Sequence, residues 1–513
     1  MNFPLQIPAS HKSVFEVIST AASSINQPVY IVGGYVRDFY LDRLKQTEPD
    51  LDFVTLGSRI SLAEKVHQAL KGSHLSVFKQ FGTALVKTDE FELEFVGARR
   101  ESYRKNSRKP IVENGSLEDD QLRRDLTINA LSWSLNKEDF GTLVDPFGGI
   151  QDLKNKLIRT PIDPKQTFDD DPLRMLRAIR FATQLNFNIE EKTYNAISEM
   201  APRLEIISKE RIVTELNKII MSDKPSIGFA HLFHTGLLKQ FFPQMHQLQG
   251  VKEKNGQTHK DNFWHTLQVL DNVVEYGGDL WLRWAAILHD IAKPPTQRFD
   301  KDAGWTFHGH DALGAKWTKG IFRQLGLPLD ERMRYVRKLV RLHLRPIALV
   351  SEEVSDSAIR RLIFEAGDDI DDLMTLCRAD ITSKNDNKVE RFQKNFNRVE
   401  KKIKEVEKKD HIRNWKNPLS GEEIMEALQI RPSKTIGDIK DAVKEAILSG
   451  EIPNEHDAAF EFMMNNKDKF LEEETKLYQH SVFGCKVSLY SNQLCNCKRS
   501  LHLTLSHSHS LFK

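Results

Sequence analysis

Cysteine is scarce in this chain: four residues in 513, at Cys377, Cys485, Cys495 and Cys497. So few in so long a chain exclude a disulfide framework. No apolar run approaches the ~18 residues that a membrane-spanning helix needs, which excludes a bundle of such helices. The opening segment, MNFPLQIPASHKSVFEV, lacks a basic stretch followed by an apolar run and a small-residue cleavage site. No secretory leader is therefore expected, and the cytoplasm is the expected compartment. Net charge is nearly absent, at +2. That total decides nothing about nucleic acid by itself; what matters is local clustering of Lys and Arg, because phosphate binding needs a basic surface patch rather than a basic total. No internal repeat is present. The C-terminal Cys485, Cys495, Cys497, His502, His507 and His509 contain one C-x-C pair and no C-x-x-C partner, so this stretch reads as a disordered tail rather than a four-ligand zinc site.

What is present describes a globular protein of several domains: 40% hydrophobic and 28% charged residues over a length beyond one core's usual reach. Val29 to Val32 reads as a short strand leading through Gly33-Gly34 into a helix, with a second strand at Leu51 to Leu56. Thr83 to Lys87 and Phe91 to Val96, separated by Thr88-Asp89-Glu90, suit a hairpin. Residues 99 to 122 are rich in both charges without apolar periodicity and read as a mobile loop carrying Arg99, Arg100, Arg104, Lys105, Arg108 and Lys109. From about Asp169 to Glu400 the apolar spacing is mostly helical. Asn395 to Asp410 is expected as a charged connecting helix, and Pro418 to Asp457 as a small helical module.

The Gly33-Gly34-Tyr35-Val36-Arg37-Asp38 segment places small residues where a triphosphate can approach backbone N–H groups, although a glycine pair also marks an ordinary strand-to-helix turn. Asp50-Leu51-Asp52 puts two carboxylates at i and i+2 of a strand, hence on one face. That pair suits Mg2+, which prefers carboxylate oxygens plus substrate phosphates. Glu94 in the following hairpin is a candidate third carboxylate. Leu122-Arg123-Arg124-Asp125-Leu126-Thr127-Ile128-Asn129 begins another helical stretch, with paired arginines near its expected start. In Asp171-Pro172-Leu173-Arg174-Met175-Leu176-Arg177-Ala178-Ile179-Arg180, an Asp and three Arg recur every third residue, which suggests one ligand-facing stripe with Leu173, Leu176 and Phe181 opposite.

In this order, GGYVRD, DLD, the RRD segment and DDPLRMLRAIRF, the chain resembles the class II CCA-adding tRNA nucleotidyltransferases and the related bacterial poly(A) polymerases. The resemblance is dense over about residues 28 to 220 and includes Ser208-Lys209-Glu210-Arg211. It implies an α+β fold: a polymerase β-like nucleotidyltransferase head followed by a mainly α-helical neck, an HD-type body and a tail. It further implies that Asp50 and Asp52 hold Mg2+, that Gly33, Gly34, Arg37 and Arg124 bind the incoming nucleotide, and that Asp171, Arg174, Arg177 and Arg180 complete its pocket. CTP, ATP and tRNA are the implied partners. The family usually carries Glu immediately before the base-reading Asp, where this chain has Asp170.

A second constellation comprises His265, His289-Asp290, His310, His343 and Asp380. The adjacent His289 and Asp290 end an apolar stretch, where both can reach one ion. This ordered set resembles HD-domain metal-dependent phosphohydrolases, which implies His265, His289, Asp290 and Asp380 as ligands to a transition metal, with His310 and His343 available for a second ion. His308 competes with His310. The expected organisation is a head over 1–150, a neck over 151–245, an HD domain over 246–400, a small helical tail over 401–475, and disorder over 476–513. Three alternatives stay open: a poly(A) polymerase, which the HD segment argues against; an enzyme adding only CC or only A; and an HD phosphohydrolase whose head merely binds RNA.

Overall fold

The computed structural model describes residues 7–44, 51–78, 82–102, 111–254, 256–350, 355–382, 386–410, 412–413 and 415–471. They form two compact units, one of residues 1–341 with 379–382, the other of 342–378 with the residues from 383 onward.

The first unit opens with helix α1 (Ala9–Ser24), strand β1 (Val29–Val32), α2 (Gly34–Tyr40), β2 (Leu51–Thr55), α3 (Arg59–Ala69), β3 (His74–Phe78), β4 (Thr83–Lys87) and β5 (Glu92–Gly97). With β8 (Ser132–Ser134) and β9 (Leu143–Val144) these strands make a seven-stranded sheet of order β3-β4-β5-β2-β1-β8-β9. The β2–β5 pair is parallel. Leu51 and Phe53 of β2 and Leu93 and Phe95 of β5 stand at alternate positions and are buried on one face, where the two Phe rings stack with centroids 5.2 Å apart. Phe15 of α1 meets Phe53 edge-on at 6.1 Å, which fixes that helix to the same face. Removing a ring such as Phe53 by substitution with Ala would cost about 3–5 kcal/mol. The alternation leaves Asp52 and Glu94 on the other face, beside an apolar floor of Val32, Val54 and Val96.

The segment read as a mobile loop holds regular structure among its described residues. Within it β6 (Arg99–Ser102) pairs antiparallel with β7 (Ile111–Asn114), and α4 (Leu117–Leu122) follows. A capping box starts α4: Ser116 Oγ accepts from the Asp119 N–H, and the Asp119 carboxylate accepts from the Ser116 N–H. Strands of four residues and a helix under two turns are too short to display either period, which is why the sequence reads as loop.

Helices α5 (Gly149–Lys154), α6 (Pro164–Asp170), α7 (Leu173–Leu185), α8 (Glu191–Met200), α9 (Lys209–Ile220), α10 (Pro225–His234), α11 (Leu237–Phe241) and α12 (Pro243–His246) follow. Asp163, with Pro164 at the first helical position, caps α6, and Asn186 in the left-handed region (φ 54°) stops α7. Then come α13 (Asn262–Glu275), α14 (Leu280–Leu288), α15 (Lys293–Thr296), α16 (His310–Leu325) and α17 (Glu331–Leu342). Buried Arg283 of α14 donates to the carbonyls of Ile220 and Ser222 (2.8 and 3.1 Å), satisfying the end of α9 and locking the two helices together.

The second unit contains α18 (Leu344–Val350), α19 (Asp356–Ala366), α20 (Ile370–Ala379, whose last residue belongs to the first unit), α21 (Asp386–Asp410), α22 (Gly421–Leu428), α23 (Lys434–Ser449) and α24 (His456–Asn465). The charged helix thus starts nine residues before the expected Asn395. The terminal module does not end at Asp457, which lies in the first turn of α24; buried Met463 of that helix joins Ile439, Val443 and Ile447 in the module's core. The Cys- and His-bearing tail beyond residue 471 lies outside the described residues. No helix among the described residues is long and apolar enough to cross a membrane.

Candidate active site and metal centre

Gly33 ends β1 at φ 75°, ψ −125°, a backbone state that glycine adopts without a Cβ penalty. A Cβ there would lie 3.1 Å from Arg124 Nη1. Val32, the residue before it, lies opposite Asp52 in the β1–β2 ladder, and Asp52 is level with Glu94 in the parallel β2–β5 ladder. Residues level in a ladder share a face, so the two carboxylates are neighbours next to the glycine turn. Asp52 is half-buried and Glu94 exposed. Asp50 lies outside the described residues, as do Arg104, Lys105, Arg108 and Lys109.

The paired arginines stand at the end of a helix, not at its start. The Ser116 cap begins α4 early, Arg123 is its C-cap, and the chain turns through a 3-10 segment at Thr127–Asn129. Fully buried Asp120 receives both guanidiniums, Arg123 at 2.5 Å and Arg124 at 3.1 Å. Asn129 is the centre of this wall. Its Oδ1 accepts from Arg37 Nη1 (2.7 Å), its carbonyl from Arg124 Nη1 (3.2 Å), and its amide donates to Asp125 (3.0 Å). Arg37 also forks onto Asp38 with two bonds of 2.8 Å. Gly34 adjoins this wall, its Cβ position 3.7 Å from Arg37 Nη2.

Asp171 precedes α7 instead of lying on it. Its Oδ1 accepts from the Leu173 N–H (3.1 Å) and its Oδ2 from Arg211 of α9 (2.7 Å). The three arginines do not share one face, because a three-residue step drifts by about 60° around a helix. Arg174 donates to the carbonyls of Thr167 and Arg123, Arg177 Nε donates to Asp125 (2.6 Å), and Arg180 turns to Glu215 of α9 (2.7 Å). Phe181 is not opposite them. The guanidinium carbons of Arg37, Arg177 and Arg180 lie 4.9, 5.5 and 4.0 Å from its ring centroid, so the ring is the floor of the cationic group. Burial, with Arg177 nearby, pulls Arg180 down to about 10 against the opposing pull of Glu215. For Asp125 burial opposes the charged form, yet Arg177 and the Asn129 bond outweigh it and hold the carboxyl below its ordinary value. An open cleft of ≈ 250 Å³ borders Arg37 and Phe181, with Arg43 and Gln184 on its wall.

Sequence reading missed Asp120, Asn129, Phe181 as a floor, Arg211 and Glu215. Arg211 was signalled only as part of the Ser208-Lys209-Glu210-Arg211 resemblance and Glu215 only by the 3.6-residue periodicity of α9, and neither signal says what these side chains meet.

The second constellation assembles within the first unit. Asp261 caps α13 and presents His265; apolar α14 ends at His289-Asp290; His310 opens α16; and the short segment 379–382 delivers Asp380. His265 Nε2 lies 2.9 Å from Asp380 and 3.5 Å from Asp290, His289 Nε2 is 3.2 Å from Asp290, and His310 Nε2 is 3.2 Å from its other oxygen. The opposite nitrogens are tied down: His289 Nδ1 donates to the Ala286 carbonyl and His310 Nδ1 to the Phe307 carbonyl, both at 2.7 Å, while His265 Nδ1 bonds Thr382 Oγ1. Such second contacts leave Nε2 lone pairs for an ion, and ligand atoms of His265, His289 and Asp290 lie within 4.8 Å of one another. The donor set therefore fits a divalent metal. Lys293 Nζ reaches Asp290 at 2.6 Å. Burial disfavours the Asp290 and Asp380 charges, but the imidazoles of His289 and His265, with Lys293 beside Asp290, hold Asp290 well below the carboxylate range and Asp380 at about 2. Between the competing histidines, buried His310 faces Asp290 and His308 is exposed. His343 is buried in the second unit, where its carbonyl accepts from the Cys377 thiol.

Residues 29–159 match the family described as the poly A polymerase head domain, 186–248 that described as a probable RNA and SrmB-binding site of polymerase A, and 262–385 the HD domain. The chain is 33% identical over 361 residues to an A-adding tRNA nucleotidyltransferase of Deinococcus radiodurans, covering 68% of this chain and 79% of that protein. It is 32% identical over 315 residues to the multifunctional CCA protein of Shewanella frigidimarina, covering 59% and 71%. An A-adding tRNA nucleotidyltransferase of Aquifex aeolicus is matched over only 31% of its length. Among solved structures, the CCA-adding enzyme of Thermotoga maritima complexed with tRNA shares the fold, with a TM-score of 0.57 and 22% identity over 90% of this chain and 97% of that one.

Proposed function

The chain belongs to the tRNA nucleotidyltransferase family, and from that premise we propose that it adds CMP and AMP from CTP and ATP to the 3′-OH of tRNA, releasing pyrophosphate and completing or repairing the CCA end. We read the chain as a head over 1–150, a neck over 151–245, an HD domain over 246–400 and a tail over 401–475. The observation that carries the proposal is the junction at Gly33: a carboxylate pair, Asp52 and Glu94, lies on one side of the turn and the Arg124–Asn129–Arg37 wall on the other. Nucleotidyl transfer needs that pairing of anionic and cationic walls, one for metal and primer hydroxyl, one for triphosphate. Asp50 and Asp52 would hold two Mg2+ ions, with Glu94 as a further carboxylate; when bound, the metal lowers the pKa of the attacking hydroxyl and neutralises charge on the α-phosphate. Gly34, Arg37 and Arg124 orient the triphosphate. Asp171 and Arg174 read the base, because cytosine and adenine share an amino donor beside a ring-nitrogen acceptor, which one carboxylate and one guanidinium can satisfy together. Arg177 and Arg180 hold this pocket to the head and to α9.

A narrower reading, addition of the terminal A alone, is favoured by the name of the Deinococcus relative. Primer tRNAs ending before CCA, after C and after CC, each offered CTP, ATP or both with Mg2+ and sized at one-nucleotide resolution, separate the two. Extension of all three primers supports full CCA synthesis. Extension of only the CC-ended primer supports A addition, and extension of none rejects both. The HD centre supports a second, phosphohydrolase activity on phosphate esters, resting on the convergence of three imidazoles and two carboxylates.

A further inference from the structure

Helices α16 and α17 lie outside the 186–248 segment matched as RNA-binding, yet they are strongly basic for a chain of nearly neutral total. Residues 310–341 hold eight Lys and Arg against three acids, a net of +5 in a chain whose total is +2. The remaining residues are therefore net acidic. The two helices are antiparallel neighbours: Arg341 near the end of α17 pairs with Asp311 at the start of α16, and a Cβ on Gly314 would lie 3.2 Å from Val340.

Each helix carries cations at i, i+3 and i+7, Lys316, Lys319 and Arg323 on α16 and Arg334, Arg337 and Arg341 on α17. That spacing keeps them on one side of the helix over about 10 Å, a span on the order of three phosphates of one strand. All six are exposed. The three acids are already engaged: Asp311 with Arg341, Glu331 with Arg334 and Asp330 with Arg332. Lys316, Lys319, Arg323 and Arg337 form no ion pair among the described residues. A merely solvated helix intersperses acids four residues from its bases, and between Ala312 and Leu329 there is not one.

We propose that the exposed face of the α16–α17 hairpin binds the phosphate backbone of a duplex arm of the substrate tRNA, holding the body of the substrate while its 3′ end reaches the head. The proposal rests on the tRNA reading given above. It assigns no base recognition to the surface, because cations on exposed helices position a backbone without reading sequence.

The test uses the full chain with the triple variant Lys316→Gln/Lys319→Gln/Arg323→Gln and its charge-keeping counterpart Lys316→Arg/Lys319→Arg. Equilibrium binding of tRNA is measured from about 50 to 300 mM salt. The triple variant should bind about tenfold more weakly, with the slope of log K against log salt reduced by about 2 to 3, and kcat at saturating tRNA should be unchanged. The charge-keeping variant should match the wild type. Unchanged affinity and slope in the triple variant overturn the proposal, and so does a loss that the charge-keeping variant shares. Failure of the wild type to extend tRNA instead overturns the functional reading, an outcome distinguishable because binding and extension are read separately.

Discussion

Arg177 Nε donates a 2.6 Å hydrogen bond to Oδ2 of Asp125, joining residues 52 positions apart in the chain. The carboxylate is buried at the base of the arginine wall, and Arg177 is its main cationic partner, so the bond ties α7 to the head. Removing the cation leaves a buried charge uncompensated. Arg177→Gln should destabilise the first unit by about 3 kcal/mol. The pH dependence follows from the sign of the shift: the folded Asp125 lies below its ordinary 3.8, so the contribution is fully present above that value and is lost as pH falls through the folded one. The melting-temperature gap between wild type and Arg177→Gln should be widest near neutral pH and shrink as the pH falls below the ordinary carboxylate value. A gap independent of pH contradicts the assignment.

Asp171 is held from two sides, by the Leu173 N–H and by Arg211. If this carboxylate reads the base amino group, Asp171→Ala should lower the CTP-over-UTP ratio of kcat/KM by about 10²-fold or more. Arg211→Ala should lower it less, about tenfold, because the backbone N–H still orients the carboxylate. Exchanging the charges, Asp171→Arg with Arg174→Asp, should shift preference toward UTP and GTP. Strict CTP and ATP use in all three variants would move base reading elsewhere.

The two centres should be separable. His289→Ala removes an imidazole whose Nε2 faces Asp290, and the purified variant should retain less than about a tenth of the transition metal bound by wild type, measured by elemental analysis. Nucleotide addition to tRNA should stay within about twofold, because Asp52 and the arginine wall are built from other elements. Equal metal content in the two proteins would remove the HD centre from the account.

The strand positions around Gly33 and Asp52 were legible because β1, β2 and β4 carry β-branched and aromatic residues bounded by turn residues, and the strand period of two alone puts Asp52 on the face away from Phe53. The arginine wall was legible as composition but not as geometry. Three-residue spacing suggested a single stripe, whereas the arginines fan out to the Arg123 carbonyl, Asp125 and Glu215, each from a separate element. Nothing local marks Asn129 as a hub, since its three contacts depend on where α2 and α4 end. His289-Asp290 announced itself as adjacent donors closing an apolar helix. Asp380 was legible only through the resemblance of the ordered set to HD domains, because it reaches that centre through a segment 90 residues later.

The most direct measurement concerns Asp52. The variant Asp52→Asn keeps the shape of β2 while removing the charge that nucleotidyl transfer requires, and RNA affinity is set mainly by Lys and Arg contacts to phosphate. Wild type and variant should be compared for single-turnover addition of C and A to a tRNA primer lacking CCA, and for tRNA affinity on the same samples. The account predicts a fall in the rate of about 10³-fold or more with affinity within about twofold. Extension by Asp52→Asn at a near-wild-type rate would contradict it.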